Sequence, residues 1–265
     1  MTTPTLKARL RDTTDRLTMQ MCTIPSAVVT QAFAAAGTDI VVVDLEHGAV
    51  DHASAHAMIA ATAGTGCAPM VRVSANDPIL VKRALDLGAE AIMFPLIESP
   101  EDAQSAVASL RYPPNGTRGF GPFIAQSRWG VQMGTYRTAI EPHIVSCLLI
   151  ETRGAVDSIE AIATVPGIDM IVPAQFDLST ALGVSGQFDH PEFVAAVARI
   201  ERAANTARIP LGGVAFSRAQ AEALFARGYR AVCGFDVLTL RAQAAEMGSW
   251  LGAPAPASFI CSARG

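Results

Sequence analysis

The run Ile40-Val41-Val42-Val43-Asp44-Leu45-Glu46-His47-Gly48 delivers three ionisable side chains at the end of an apolar stretch. Carboxylates and an imidazole leaving a buried strand are costly to desolvate unless they pair or hold a cation. His47 beside Asp44 suits a general base oriented by a carboxylate, because an imidazole changes charge near neutral pH. Arg72, in Val71-Arg72-Val73, offers a rigid fork for a substrate carboxylate or an enolate oxygen. Glu151, in Leu149-Ile150-Glu151-Thr152, and Asp177, in Phe176-Asp177-Leu178, are oxygen donors of the kind that hard divalent ions prefer. Each residue also has a plainer account. Arg72 could form an ion pair with Glu46 or Glu151, and the two carboxylates could serve as charges at helix N-termini. The choice depends on whether the fold gathers them.

The elements that would gather them alternate along the chain. Short β-branched runs read as strands at Leu17 to Ile24, Asp39 to Glu46, Pro69 to Ser74, Ala91 to Ile97, Ile144 to Thr152, Asp169 to Phe176, Leu211 to Phe216 and Ala231 to Phe235. Ala-rich helical stretches lie between them, including Ala155 to Thr164 and His190 to Ala207. Asp77-Pro78 and Ser99-Pro100 mark helix starts, with a capping side chain before a proline in the first turn. This alternation predicts a (β/α)8 TIM barrel as a single domain over residues 1–252, followed by a flexible tail over 253–265. Barrel chemistry sits at the carboxyl ends of strands, so Asp44, Glu46, His47, Arg72, Glu151 and Asp177 should share one mouth. On that basis Glu151 and Asp177, from adjacent strand ends, are favoured as a metal pair. The Gly- and Pro-rich segment Tyr112 to Glu141 interrupts the rhythm and reads as a long functional insertion.

Composition narrows the classes. Half the residues are hydrophobic and 17% are charged, with a net charge of −4, which argues against nucleic acid or an anionic membrane as a partner. A mean hydropathy of +0.31 suggests further burial between subunits. No run is apolar for long enough to span a bilayer. Met1 to Arg16 lacks the apolar centre of a secretory signal, and the five cysteines form no CxxC pair. A cytoplasmic setting is expected. The two lysines, Lys7 and Lys82, stand away from strand ends, so carbonyl activation by an imine is not expected.

Asp44-Leu45-Glu46-His47, Val71-Arg72-Val73, Asn76-Asp77-Pro78, the stretch from Arg111 to Gly119, Ile150-Glu151-Thr152 and Asp177-Leu178-Ser179 occur in that order. As an ordered set they resemble the HpcH/HpaI aldolases, the metal-dependent pyruvate aldolases of the phosphoenolpyruvate/pyruvate barrel superfamily. The likeness extends from about Leu6 to Leu251. It implies a homo-oligomer, commonly a hexamer built as a trimer of dimers that exchange the final helix. By position it implies Glu151 and Asp177 as ligands of Mg²⁺, Mn²⁺ or another divalent ion such as Co²⁺. It further implies His47 with Asp44 as an acid/base dyad, Arg72 as the anchor of pyruvate, and Asp86 as a residue reaching a neighbouring subunit's site. The implied substrates are a 2-oxoacid and an aldehyde, joined in a 4-hydroxy-2-oxoacid that the enzyme cleaves reversibly. Oxaloacetate-type decarboxylation on the same barrel stays open as an alternative, as does a ketoacid-binding barrel without turnover.

Two positions depart from the family pattern. Leu149 stands where a glutamine often contacts the donor, and Ala174-Gln175-Phe176 replaces a Gly-Pro-Ala-like turn. The Gln175 amide is expected to hold the ketoacid carboxylate, while Phe176 narrows the pocket or favours apolar substrates.

Overall fold

The computed structural model describes residues 4–250. Eight parallel strands form one sheet in the order β6-β5-β4-β3-β2-β1-β8-β7. They are β1 (Leu17–Cys22), β2 (Ile40–Asp44), β3 (Ala68–Arg72), β4 (Ala91–Phe94), β5 (Val145–Ile150), β6 (Met170–Pro173), β7 (Gly212–Val214) and β8 (Ala231–Phe235). A bridge between Ile171 and Leu211 brings β6 to β7 and nearly closes the barrel. Helices alternate with the strands, as the (β/α)8 reading requires.

Strand alternation divides the core in two. Ile40, Val42, Met70, Met93, Cys147, Leu149, Met170, Val172 and Cys233 pack together in the lumen. Val41, Val43, Val71, Ile92, Leu148, Ile150 and Ile171 pack outward with the helices. Five of the lumen residues are methionines, whose unbranched side chains fill an irregular interior well (Met19, Met21, Met70, Met93 and Met170). The helix Leu6–Arg11, which the sequence reading missed, contributes Leu6 and Leu10 to this lumen cluster. It is tied down where the Leu6 N–H donates to the buried Glu90 carboxylate at 2.7 Å.

Helix starts follow the sequence punctuation. Asp77 accepts from the Ile79 amide at 2.7 Å ahead of the helix Pro78–Asp86, and Ser99 with Asp102 forms a capping box at Pro100–Ser109. Three expectations need correction. Most strands stop earlier than predicted, so Glu46 and His47 lie in a turn after β2, where Asp44 ends the ladder. The helix expected from Ala155 to Thr164 breaks at Ser158 into Arg153–Asp157 and Ile159–Ile162. The insertion also contains short helices, Ala125–Trp129 and Tyr136–Ile140. The tail expected at 253–265 lies outside the described residues. Among the described residues, no helix is long and apolar enough to cross a membrane.

Candidate active site

Phase and register explain why the charged residues meet. Asp44 follows Ile40 and Val42 by two-residue steps, so it takes the lumen side of β2, and Arg72 does the same after Ala68 and Met70. The parallel ladder sets Asp44 directly opposite Arg72. The guanidinium therefore grips the carboxylate with two bonds, Nε to Oδ1 at 2.8 Å and Nη2 to Oδ2 at 2.6 Å. Glu151 follows Cys147 and Leu149 in the lumen phase of β5 and is buried.

The expected partners Asp44 and His47 meet here through the His47 backbone and not through the imidazole. Asp44 is fully buried, and its carboxylate accepts from Arg72 and from the backbone N–H groups of Glu46 and His47, at 3.0 and 3.2 Å. It shapes the turn that carries His47 and fixes Arg72, and the acid nearest the imidazole is Glu46, with 3.8 Å between Oε2 and Nε2. The physical reason is register. Asp44 is a strand residue facing Arg72, while His47 has already left the ladder and is 63% exposed at its side chain. Glu46 also forms an ion pair with Arg72 Nη1 at 3.2 Å, as the plainer account of Arg72 anticipated.

Burial alone would raise the Asp44 carboxyl, but Arg72 and the two turn amides hold it below the ordinary carboxylate range. Glu46 shifts the other way. Its burial outweighs the attraction of Arg72, and Asp44 and Asp177 add repulsion. Burial raises the Glu151 carboxyl too, opposed by an N–H from Leu96 and reinforced by Glu46 and Asp177. That Leu96 amide donates to Glu151 Oε1 at 2.5 Å from a backbone at φ 55°. A left-handed leucine is strained, so the loop after β4 is held in an unfavourable conformation around this carboxylate.

A cavity of about 300 Å³ opens at this end of the lumen. Asp44, His47, Arg72, Gln175, Phe176, Asp177 and Leu149 all line it, together with Thr23, which the sequence reading passed over. Thr23 lies one residue past the end of β1, and the register of β1 on β2, with Cys22 opposite Val43, sets it level with Asp44. Its hydroxyl donates to Asp236 at 2.9 Å, and Asp236 is fully buried at the start of the helix Asp236–Ser249. Asp236, at the end of β8, could have been found by the strand-end rule that singled out Glu151. Asp86 is placed elsewhere. It does not line this chain's own cavity and instead accepts from the buried Arg118 of the insertion at 3.1 Å. Neither Lys7 nor Lys82 lines the cavity.

The donor set fits a hard divalent cation. Glu46, Glu151 and Asp177 are close enough to repel one another electrostatically, and Arg72 is the cation that interacts with them. Glu46 Oε2 is buried without a hydrogen-bond partner. The oxygen is matched by the ion pair with Arg72, at 3.2 Å, and clustered carboxylates of this kind suit an ion such as Mg²⁺, which commonly takes one or two carboxylates and fills its other positions with water and substrate. No group of three or more His, Cys, Asp or Glu in metal-binding arrangement occurs among the described residues, so protein ligation would rest on Glu151 and Asp177. Asp177 stands in the first turn of the helix Gln175–Ala181, which starts at Ala174 without a side-chain cap.

Comparison with known proteins gives the family. The model of the HpcH/HpaI aldolase/citrate lyase family matches residues 21–242. A pyruvate aldolase of Rhizobium etli is 39% identical over 176 residues, covering 66% of this chain and 69% of that protein. A 2-dehydro-3,6-dideoxy-6-sulfogluconate aldolase of Pseudomonas putida is 36% identical over 224 residues, covering 84% and 87%. The solved structure of an HpcH/HpaI aldolase/citrate lyase family protein from Burkholderia cenocepacia superposes with a TM-score of 0.85 at 31% identity, covering 93% of this chain and 98% of that one. The matched span runs from β1 into the final helix and takes in every strand-end residue that lines the mouth. The chain therefore belongs to the HpcH/HpaI aldolase/citrate lyase family and is an aldolase, a carbon–carbon lyase.

Proposed function

We propose that this aldolase is divalent-metal-dependent and reversibly cleaves a 4-hydroxy-2-oxoacid to pyruvate, or a close 2-oxoacid, and an aldehyde. The observation that carries the reading is Arg72, clamped by Asp44 at 2.8 and 2.6 Å and facing a cavity that Asp177 and His47 also line. A cation held by Glu151 and Asp177 would supply Lewis-acid polarisation of the 2-oxo group.

The chain's own residues perform the remaining work. Arg72 binds the negative oxygens of the 2-oxoacid and stabilises the charge that grows on the carbonyl oxygen as the bond breaks. Its orientation is set before substrate arrives, because two of its nitrogens are already committed to Asp44. His47 takes the proton from the 4-hydroxyl through its imidazole at the rim, as the bond between C3 and C4 breaks and the aldehyde leaves. Glu46 is the acid closest to that imidazole, with Oε2 3.8 Å from Nε2. Proton return to C3 then completes the 2-oxoacid. The lumen side chains Leu149, Val172 and Met93 close the cavity floor to water.

The experiment is pyruvate release from a 4-hydroxy-2-oxoacid before and after metal stripping with EDTA. Activity should disappear on stripping and return on adding Mg²⁺ or Mn²⁺. Full activity in the stripped protein would overturn the metal-dependent reading. The proposal extends to a homo-oligomer, supported by the exposed apolar side chains Leu240, Met247 and Trp250 on and just after the final helix.

A further inference from the structure

The cavity is chemically lopsided, and aldol cleavage as such does not require it to be. Its charged groups, Asp44, Arg72, His47 and Asp177, come from the ends of β2, β3 and β6. The side formed by β1, β7 and β8 presents Met19, Met21, Val214, Cys233 and Phe235. The polar residue there, Thr23, has its hydroxyl committed to Asp236. Phe176 stands at the rim of the same cavity, 41% exposed although it is a large aromatic residue. It is braced from behind. Its ring meets Phe188 edge-on at 5.3 Å and Phe216 at 6.0 Å, and Phe216 stacks on Phe235 at 6.2 Å with an interplanar angle of 19°. The exposed Phe176 and the half-buried Phe235 thus belong to one connected aromatic cluster, and both line the cavity.

Size points the same way. A single water needs about 10–15 Å³ of cavity space, so a cavity of about 300 Å³ has room well beyond the six non-hydrogen atoms of pyruvate. The residual space lies on the apolar side, since the pyruvate oxygens belong with Arg72 and Asp177. His47 receives the proton of the 4-hydroxyl, which places the C4 substituent at the level of the rim, where Phe176 stands.

We infer that the aldehyde half of the substrate carries an apolar, ring-sized substituent seated against Phe176. The inference rests on the aldolase reading above and names its acceptor class. A polyhydroxylated or anionic aldehyde would surrender its water hydrogen bonds to a wall of sulfur, methyl and phenyl groups, with Gln175 as the one uncharged side chain beside Phe176 able to replace them.

The test runs the reaction in the condensing direction with saturating pyruvate, offering benzaldehyde or glyceraldehyde to the wild-type enzyme and to Phe176→Ala and Phe176→Leu. The readout is the ratio of kcat/KM for the two aldehydes. Wild type should favour benzaldehyde, and Phe176→Ala should cut that ratio about tenfold or more, with Phe176→Leu between the two. The leucine variant keeps the test decisive where the alanine variant fails to fold. A wild-type preference for glyceraldehyde, or variants that slow both aldehydes alike, would overturn the inference. Deuterium exchange at the pyruvate methyl, which needs no aldehyde, separates the two levels. Exchange without a preference for the apolar aldehyde overturns the acceptor class alone, whereas absence of exchange overturns the aldolase reading and this inference with it.

Discussion

Asp44 and His47 are three positions apart and have opposite environments. Asp44 is fully buried and holds Arg72 with two short bonds, so its role is to fix a cation in place. His47 stands at the rim with 63% of its side chain exposed, free to meet a substrate proton and carrying little of the fold. Replacing His47 with glutamine should therefore separate activity from stability. Cleavage should slow by about a hundredfold or more, while unfolding free energy stays within about 0.5 kcal/mol of wild type. Steady-state pyruvate release and urea denaturation of the same preparations check both halves. Cleavage within a few-fold of wild type would place the base elsewhere.

The element that makes this division possible is the turn after β2. Asp44 accepts from the amides of Glu46 and His47, the Leu45 amide donates to the Arg72 carbonyl at 3.0 Å, and the Ala49 amide donates to the Thr23 carbonyl at 3.2 Å. Gly48 permits this close approach. A Cβ there would sit 2.4 Å from the Asp44 carbonyl oxygen and 3.2 Å from the Thr23 Cα, and both contacts are backbone atoms that cannot swing aside. Gly48→Ala should push the Glu46–His47 turn away from Arg72. We expect a loss of about 1–3 kcal/mol from overpacking and at least a tenfold fall in kcat/KM. A variant of wild-type activity would show that the turn tolerates the shift.

At the scale of the whole molecule, site and stability occupy opposite ends of the barrel. The mouth holds the charged residues and the cavity, while the other end is capped by Leu6 and Leu10, both packed into the lumen cluster. Leu10→Ala should cost about 2–5 kcal/mol through lost burial and the void left behind. Turnover per folded molecule should be unchanged, because Leu10 does not line the cavity. Urea midpoints together with kcat at low temperature would test this, and a matching drop in kcat would show that the two ends are coupled.

Much of this was legible in the sequence because it depends on local, periodic signals. Apolar runs alternating with capped helices specify a (β/α)8 barrel, and the strand-end rule picks out Asp44, Arg72, Glu151 and Asp177 from residue type and position alone. Partnership was not legible. That the Arg72 guanidinium is the ion-pair partner of Asp44 follows from the register of β2 against β3, which is set between residues 28 positions apart. The apolar side of the cavity escaped notice for the same reason. Met19, Val214, Cys233 and Phe235 look like ordinary strand residues, and only barrel closure brings β7, β8 and β1 around Phe176. The helix Leu6–Arg11 was missed because six residues are too few to declare themselves, and its burial in the lumen supplies what propensity does not. The sequence by itself determined the alternation of strands and helices and which side chains can do chemistry, since both are written in neighbouring residues. Tertiary structure alone decided who pairs with whom, because register and closure arise only when distant strands meet.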